Sequence, residues 1–269
     1  MKKQIGFALA LCLYMGTPAS AQVVDDAALT DIVDRAGFTG VFLSEQLSTG
    51  AQRAGHAERA ATALIPASTF KIFSAMAALE AGVIASEQAV IPWDGVVRSR
   101  TELNTDLTLT DAFRLSAVPH FQELVRRIGH VRMQHFIDAV GYGNRDISGG
   151  DDTFWLEGAL RITPLQQIAF LKRLYRNELP FRVEVMEAVK RMMESERTAA
   201  HVVRSKTGLA ILNGHHNVGW WVGWVEKGDD VTFFATALEA DNPPDTFIPA
   251  RIDIARKALT SMGVLTDAP

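Results

Sequence analysis

Cysteine is almost missing from this chain. The single one, Cys12, lies in the first 21 residues, a stretch expected to be removed. The mature protein then has no disulfide, no thiol catalysis and no cysteine-bound metal. Charge of one sign is lacking too: the formal net charge is −4, and no block of like charge stands out. Nucleic acid and anionic membranes are therefore not expected partners. After the first residues, no apolar run is long enough for a transmembrane helix. The seven histidines include a pair, His215-His216, in an expected loop, but nothing around it has metal-ligand spacing. It reads as solvated, and no metal site is expected. There is no internal repeat, low-complexity tract or linker. What remains is 48% apolar and 22% charged, ordinary for a soluble globular protein of 269 residues.

The opening, MKKQIGFALALCLYMGTPASA, has the pattern of a secretory signal over residues 1–21. Lys2 and Lys3 supply the positive start, and Ile5 to Met15 a short apolar run. Ala19-Ser20-Ala21 is a small-residue cleavage site before Gln22. Leu11 is too bulky for the residue that precedes a lipidated cysteine. Losing Lys2 and Lys3, with no acidic residue in that stretch, lowers the net charge to about −6. The expected product is exported, periplasmic and without a membrane span.

Residues 26–37 suggest a short amphipathic helix, and Gly40 to Leu43 a strand. Helical patterns run over 68–82, 108–115, 119–129, 131–139, 164–176 and 181–194. Thr163-Pro164 opens one of them with a capping hydroxyl before proline. Strand patterns follow at 202–212, 217–225 and 231–238, with 226–230 as a hairpin turn. A helix over 249–262 comes last. Strands at both ends with helices between predict an α+β fold. An antiparallel sheet subdomain (about 22–65 and 200–269) packs on a helical subdomain (about 66–199), as a single domain over 22–269. The ligand cleft is expected where the two meet.

Two short motifs carry chemistry. In Ser68-Thr69-Phe70-Lys71 a hydroxyl and an amine stand three residues apart on one helix face. The helix start offers unpaired N–H groups and the positive end of the dipole, and burial keeps the amine neutral. The plain alternative has Ser68 as a helix cap and Lys71 in solvent. Lys206-Thr207-Gly208 on a strand presents a cation and a hydroxyl, with a glycine that lets a ligand approach the strand edge. Either motif alone also arises by chance.

Together, and with a third element, they resemble the class D serine β-lactamases, the oxacillinases. The third element is Ser116-Ala117-Val118, followed by Tyr142-Gly143-Asn144 and Phe154-Trp155-Leu156-Glu157-Gly158. Gly219 to Trp224 follows the K-T-G, and the resemblance spans about Pro66 to Arg251. It implies the β-lactamase/transpeptidase-like fold of penicillin-recognising enzymes. It also explains why the helix over 68–82 is apolar almost all the way round: the nucleophile's helix is central.

The resemblance further implies roles. Ser68 attacks the β-lactam carbonyl. Lys71, carboxylated by carbon dioxide or bicarbonate to N6-carboxylysine, is the general base; no other cofactor is implied. Phe70, Val118, Trp155 and Leu156 line the base's dry pocket, with the Trp155 indole as donor. Ser116 passes a proton to the leaving nitrogen. The backbone N–H groups of Ser68 and Leu209 form the oxyanion hole, and Lys206, Thr207, Gly208 and Arg251 bind the substrate carboxylate. Trp155 can equally be a core aromatic, Ser116 a helix cap and Arg251 half of a surface ion pair. Glu157 is set aside as structural, and His120 receives no role. The expected partner is a small-molecule β-lactam, and a homodimer is compatible with the sequence. The rival readings are a cell-wall transpeptidase or carboxypeptidase and a β-lactam sensor domain.

Overall fold

The computed structural model describes residues 22–266, so the expected signal segment lies outside the described residues. From the N-terminal side come β1 (Val24–Asp25), α1 (Ala27–Asp34), β2 (Thr39–Gln46) and β3 (Gln52–Gly55). Asp26 caps α1, its carboxylate accepting from the backbone of Ala28 and Leu29. Leu29 and Val33, one turn apart, form the helix's buried stripe. The middle of the chain holds α2 (Lys71–Glu80), the two-residue strands β4 (Val90–Ile91) and β5 (Leu107–Thr108), and then helices. These are α3 (Leu109–Arg114), α4 (Val118–Ile128), α5 (His130–Val140), α6 (Pro164–Tyr175) and α7 (Val183–Met193). Thr163 and Gln166 close the start of α6 as a reciprocal capping box. Last come β6 (Glu194–Arg197), β7 (Val202–Leu212), β8 (His216–Lys227), β9 (Asp230–Asp241) and α8 (Phe247–Ser261).

The main sheet has seven strands in the order β1-β3-β2-β9-β8-β7-β6. Strands from both ends of the chain meet where β2 pairs with β9, as expected. Several details differ from the sequence reading. The sheet is not wholly antiparallel, because β1 runs parallel to β3. Strand β6 lies inside the segment assigned to helices; at four residues it is too short to show an alternating pattern. The hairpin turn is only Gly228-Asp229, since pairing continues to Lys227 opposite Asp230. Gly228 takes a left-handed φ of 57°, which lets so tight a turn close.

One face of the sheet packs on α1 and α8 through Leu29, Phe42, Trp221, Phe234 and Leu259. The other face packs on the helical layer around α2. Every residue of α2 from Lys71 to Leu79 is buried. An apolar helix in the middle of the core accounts for the absence of a polar stripe. Phe70, Phe73, Tyr142, Phe154 and Trp155 form a continuous aromatic cluster beside it, with centroids 4.9 to 5.6 Å apart in the contacts to Phe70, Tyr142 and Trp155. This cluster packs the first turn of the central helix against the segments carrying Tyr142, Phe154 and Trp155.

Candidate active site

Ser68 does not sit in an ordinary α-helical turn. Ala67–Phe70 form a 3-10 turn, and the α-helix begins at Lys71. Ala67 is left-handed, with φ 49°, although alanine disfavours that region. Hydrogen bonds from several directions hold the turn in place. Ala67 N donates to Trp155 O at 2.9 Å. Thr69 Oγ1 donates to Pro66 O at 2.7 Å and accepts from Gln167 Nε2 at 2.8 Å. Trp220 Nε1 donates to Ile65 O at 2.8 Å. Neither the turn nor α2 has a side-chain N-cap, so the capping role for Ser68 does not apply.

Lys71 Nζ lies 2.9 Å from Ser68 Oγ. The lysine is fully buried, 5.3 Å above the Phe121 ring, so it does not reach solvent. Burial pushes its pKa well below the usual lysine value, and the nearby cations Lys206 and Arg100 add to the effect. A neutral amine at that distance from a hydroxyl can take its proton.

The third element is a sharp turn between α3 and α4. Ser116 is left-handed at φ 57°, and Ala117 N reaches back to Ala112 O at 2.8 Å. That conformation turns Ser116 Oγ to meet Lys206 Nζ at 2.9 Å, although the two residues are 90 positions apart. Lys206 is buried beside the Phe113 ring. Desolvation first, then Arg251 and Arg100, bring its pKa down to about 7. Val118 opens α4 and is half-buried, as is Leu156, while Trp155 is almost wholly covered. Trp155 stacks on Phe70 at 5.4 Å, so it is a core aromatic. Yet its Nε1 is a buried donor with no acceptor among the described residues. Orphaned buried N–H groups are rare and call for an explanation.

Lys206-Thr207-Gly208 lies on β7 beyond the last residue that pairs with β6, which is Arg204. This half of the strand has an open edge, with β8 on its other side. Gly208, on this open edge, also lies directly under the Ser68 turn. A Cβ there would come within 3.0 Å of Pro66 O and 3.1 Å of Thr69 Cγ2. The glycine lets the Ser68 turn pack directly on the strand. Leu209 follows, half-buried, opposite Gly219 on β8.

Arg251 projects from the second turn of α8. It is buried rather than exposed, and its Nη1 donates to Gly208 O. Among the described residues it has no carboxylate partner, so the surface ion pair does not apply. Desolvation lowers its guanidinium to about 10, which leaves it cationic at neutral pH. The fold therefore brings Arg251 onto the backbone of the K-T-G, from 43 residues away in sequence.

Four residues outside this set also have defined places. Glu157 is exposed. His120 is buried, with Nε2 3.0 Å from Thr105 O. His216 Nδ1 lies 2.7 Å from Asp241 Oδ1, away from these groups. Arg100, which the sequence reading passed over within a loop, reaches the Ser116 turn: its Nη2 donates to Leu115 O at 3.0 Å. Nothing periodic marks Arg98-Ser99-Arg100, so no local signal could have placed it.

A buried serine–lysine pair, a second serine–lysine pair facing it and a cationic strand edge define a penicillin-recognising serine enzyme. The comparisons narrow this. Residues 44–259 match the family described as penicillin binding protein transpeptidase domain. Beta-lactamase OXA-5 of Pseudomonas aeruginosa is 40% identical over 265 residues, covering 98% of each chain. The crystal structure of the class D β-lactamase YbXI from Nostoc superposes with a TM-score of 0.84 at 42% identity, over 88% of this chain and 99% of that one. FUS-1 (OXA-85), a class D β-lactamase from Fusobacterium nucleatum subsp. polymorphum, gives 0.86 at 32% identity, over 90% and 100%. The chain belongs to the class D serine β-lactamase family.

Proposed function

We propose that this enzyme hydrolyses the β-lactam amide of penicillin-type antibiotics through an acyl-enzyme on Ser68, and so confers resistance to them. The observation that carries the reading is the Lys71–Ser68 pair: an amine 2.9 Å from a hydroxyl, wholly buried and within the field of the cations Lys206 and Arg100. Burial and the neighbouring cations both disfavour the protonated amine, and a base must be neutral.

The substrate carboxylate is held by Lys206, Thr207 and Arg251, on the open half of β7. The scissile carbonyl then lies over Ser68, with the N–H groups of Ser68 and Leu209 as the oxyanion hole. Ser68 loses its proton to the Lys71 side chain as it attacks. Ser116 Oγ gives its proton to the departing ring nitrogen and is resupplied from Lys206 Nζ, 2.9 Å away. A group with a pKa of about 7 is suited to that exchange. Water must then be activated to cleave the ester on Ser68.

The family implies a carboxylated Lys71, and the residues present fit it. Burial favours the neutral amine that carbon dioxide requires, and Trp155 supplies a buried N–H with no acceptor among the described residues. Phe70, Val118, Trp155 and Leu156 would keep water out. Bound there, the carbamate would supply a carboxylate-like base for both halves of the reaction. Export to the periplasm completes the reading, supported by the pattern of residues 1–21. Among the described residues no helix is long and apolar enough to cross a membrane.

Steady-state hydrolysis of benzylpenicillin, oxacillin, a cephalosporin and a carbapenem tests the proposal. Sustained turnover of the penicillins is expected. Stoichiometric acylation without turnover would instead indicate a sensor domain or a transpeptidase. Ser68→Ala should show no covalent penicillin adduct by intact mass spectrometry.

A further inference from the structure

The loop from Trp93 to Asp106 is laced to itself. Trp93 N donates to Asp106 Oδ1 at 2.8 Å. Arg98 N donates to Asn104 Oδ1 and Asn104 Nδ2 donates to Arg98 O, both at 2.9 Å. The Arg98 guanidinium pairs with Asp94 at 2.6 Å. Arg100 sits within this frame, so the loop presents it at a defined place.

That place is the wall of the cleft carrying Ser116. Arg100 Nη2 meets the carbonyl of Leu115, the residue before Ser116, and His120 ties α4 to Thr105 on the same loop. Arg100 Nε is taken by Glu102 at 2.9 Å, while Nη1 makes no hydrogen bond among the described residues. The side chain is half exposed, at 51%. Its field nevertheless reaches inward, since it helps lower both Lys71 and Lys206.

Cations thus stand on two walls. Lys206 and Arg251 belong to the β7 and α8 wall and take the ring carboxylate in the proposed reaction. Arg100 belongs to the helical wall. The acyl side chain of a penicillin is attached on the carbonyl side of the scissile bond, away from the ring carboxylate. A second charge on that side chain is carried away from Lys206 and Arg251. We propose that Arg100 is a specificity-determining residue, favouring β-lactams whose acyl side chain bears a second negative charge, a carboxylate or a sulfonate. This rests on the hydrolase reading above. The available Nη1 and the fixed guanidinium plane suit a carboxylate, and partial exposure makes the preference modest and salt-dependent.

The test compares benzylpenicillin with its α-carboxy counterpart on one preparation, so the ratio of their kcat/KM values is independent of the folded fraction. In Arg100→Gln the ratio of anionic to neutral substrate should fall roughly three- to fivefold, mainly through KM. Arg100→Lys, which keeps the charge, should retain most of the ratio. High salt should lower the wild-type ratio towards that of Arg100→Gln. An unchanged ratio in Arg100→Gln, even with equal losses on both substrates, would make Arg100 a tether for Leu115 and overturn the proposal. If the wild type turns over neither penicillin, the hydrolase reading fails and this one falls with it.

Discussion

Replacing Trp155 by phenylalanine removes one N–H while keeping an aromatic ring in the slot. Two consequences separate. Trp155 stacks on Phe70 at 5.4 Å and meets Phe154 edge-on at 4.9 Å, so the smaller ring leaves a void. Such a void should lower stability by about 1–2 kcal/mol. The lost donor acts on different chemistry. The indole N–H is buried and has no acceptor among the described residues, so it is free to donate to a charged group added to Lys71. A hydrogen bond to a charged group contributes about 1.5–3 kcal/mol. At about 1.4 kcal/mol per decade, carbon dioxide should bind Lys71 roughly 10- to 150-fold more weakly in Trp155→Phe. The assay is carbon-13 NMR during titration with labelled bicarbonate, alongside the bicarbonate dependence of kcat. The wild type should give a carbamate signal at low bicarbonate, Trp155→Phe only at high bicarbonate, and Lys71→Ala none. Activity of Trp155→Phe should recover over the same range as its signal. If Trp155→Phe carboxylates at the wild-type bicarbonate concentration while only its melting temperature falls, Trp155 is packing alone. If the active wild type shows no carbamate at all, Lys71 acts as a free amine or Glu157 returns as the base.

Arg251→Ala removes the guanidinium and leaves Gly208 O without its donor. It should raise KM for penicillins and lower kcat/KM by about 1.5–3 kcal/mol. An unchanged kcat/KM would remove Arg251 from carboxylate recognition. Gly208→Ala places a Cβ against backbone and side-chain atoms of the Ser68 turn, so acylation by penicillin should slow at least tenfold, a magnitude of about 1.4 kcal/mol. Stopped-flow acylation equal to wild type would show that the turn can shift freely. Lys206 has a folded pKa of about 7 against an ordinary 10.5, so the unfolded chain binds more protons between those values and stability rises with pH across that window. Relative to Lys206→Met, the wild type should gain up to about 1.4 kcal/mol per pH unit in denaturant unfolding between pH 7 and 9. Parallel stability profiles would mean that Lys206 is not desolvated in the free enzyme.

Much of this protein is written locally. The helices around 119–129, 131–139 and 164–176 follow from periodicity and caps, and the structure has them within one or two residues. The strands of the last third follow from alternation and branched or aromatic residues, because a pleated, half-buried surface selects those side chains. The pairing of Ser68 with Lys71 is local too, since three residues are nearly one turn. Strands β3 and β6 escaped notice because four residues carry no usable period.

Tertiary structure decided the rest, because the forces concerned act between segments that are distant in sequence. Lys206 reaches Ser116 only because the turn between α3 and α4 is folded against the middle of β7. The low pKa of Lys71 comes from burial under Phe121 and from cations contributed by two other segments, which no tripeptide encodes. The close approach of Pro66 O to Gly208, where a Cβ would meet it at 3.0 Å, joins segments far apart in sequence. Trp155 has an orphan N–H because the core buries the indole without giving it an acceptor. The sequence alone determined which hydroxyl, amines and guanidinium were available for chemistry. Only the packing of two layers determined which of them lost water and met, and desolvation is what turns a lysine from a surface cation into a base.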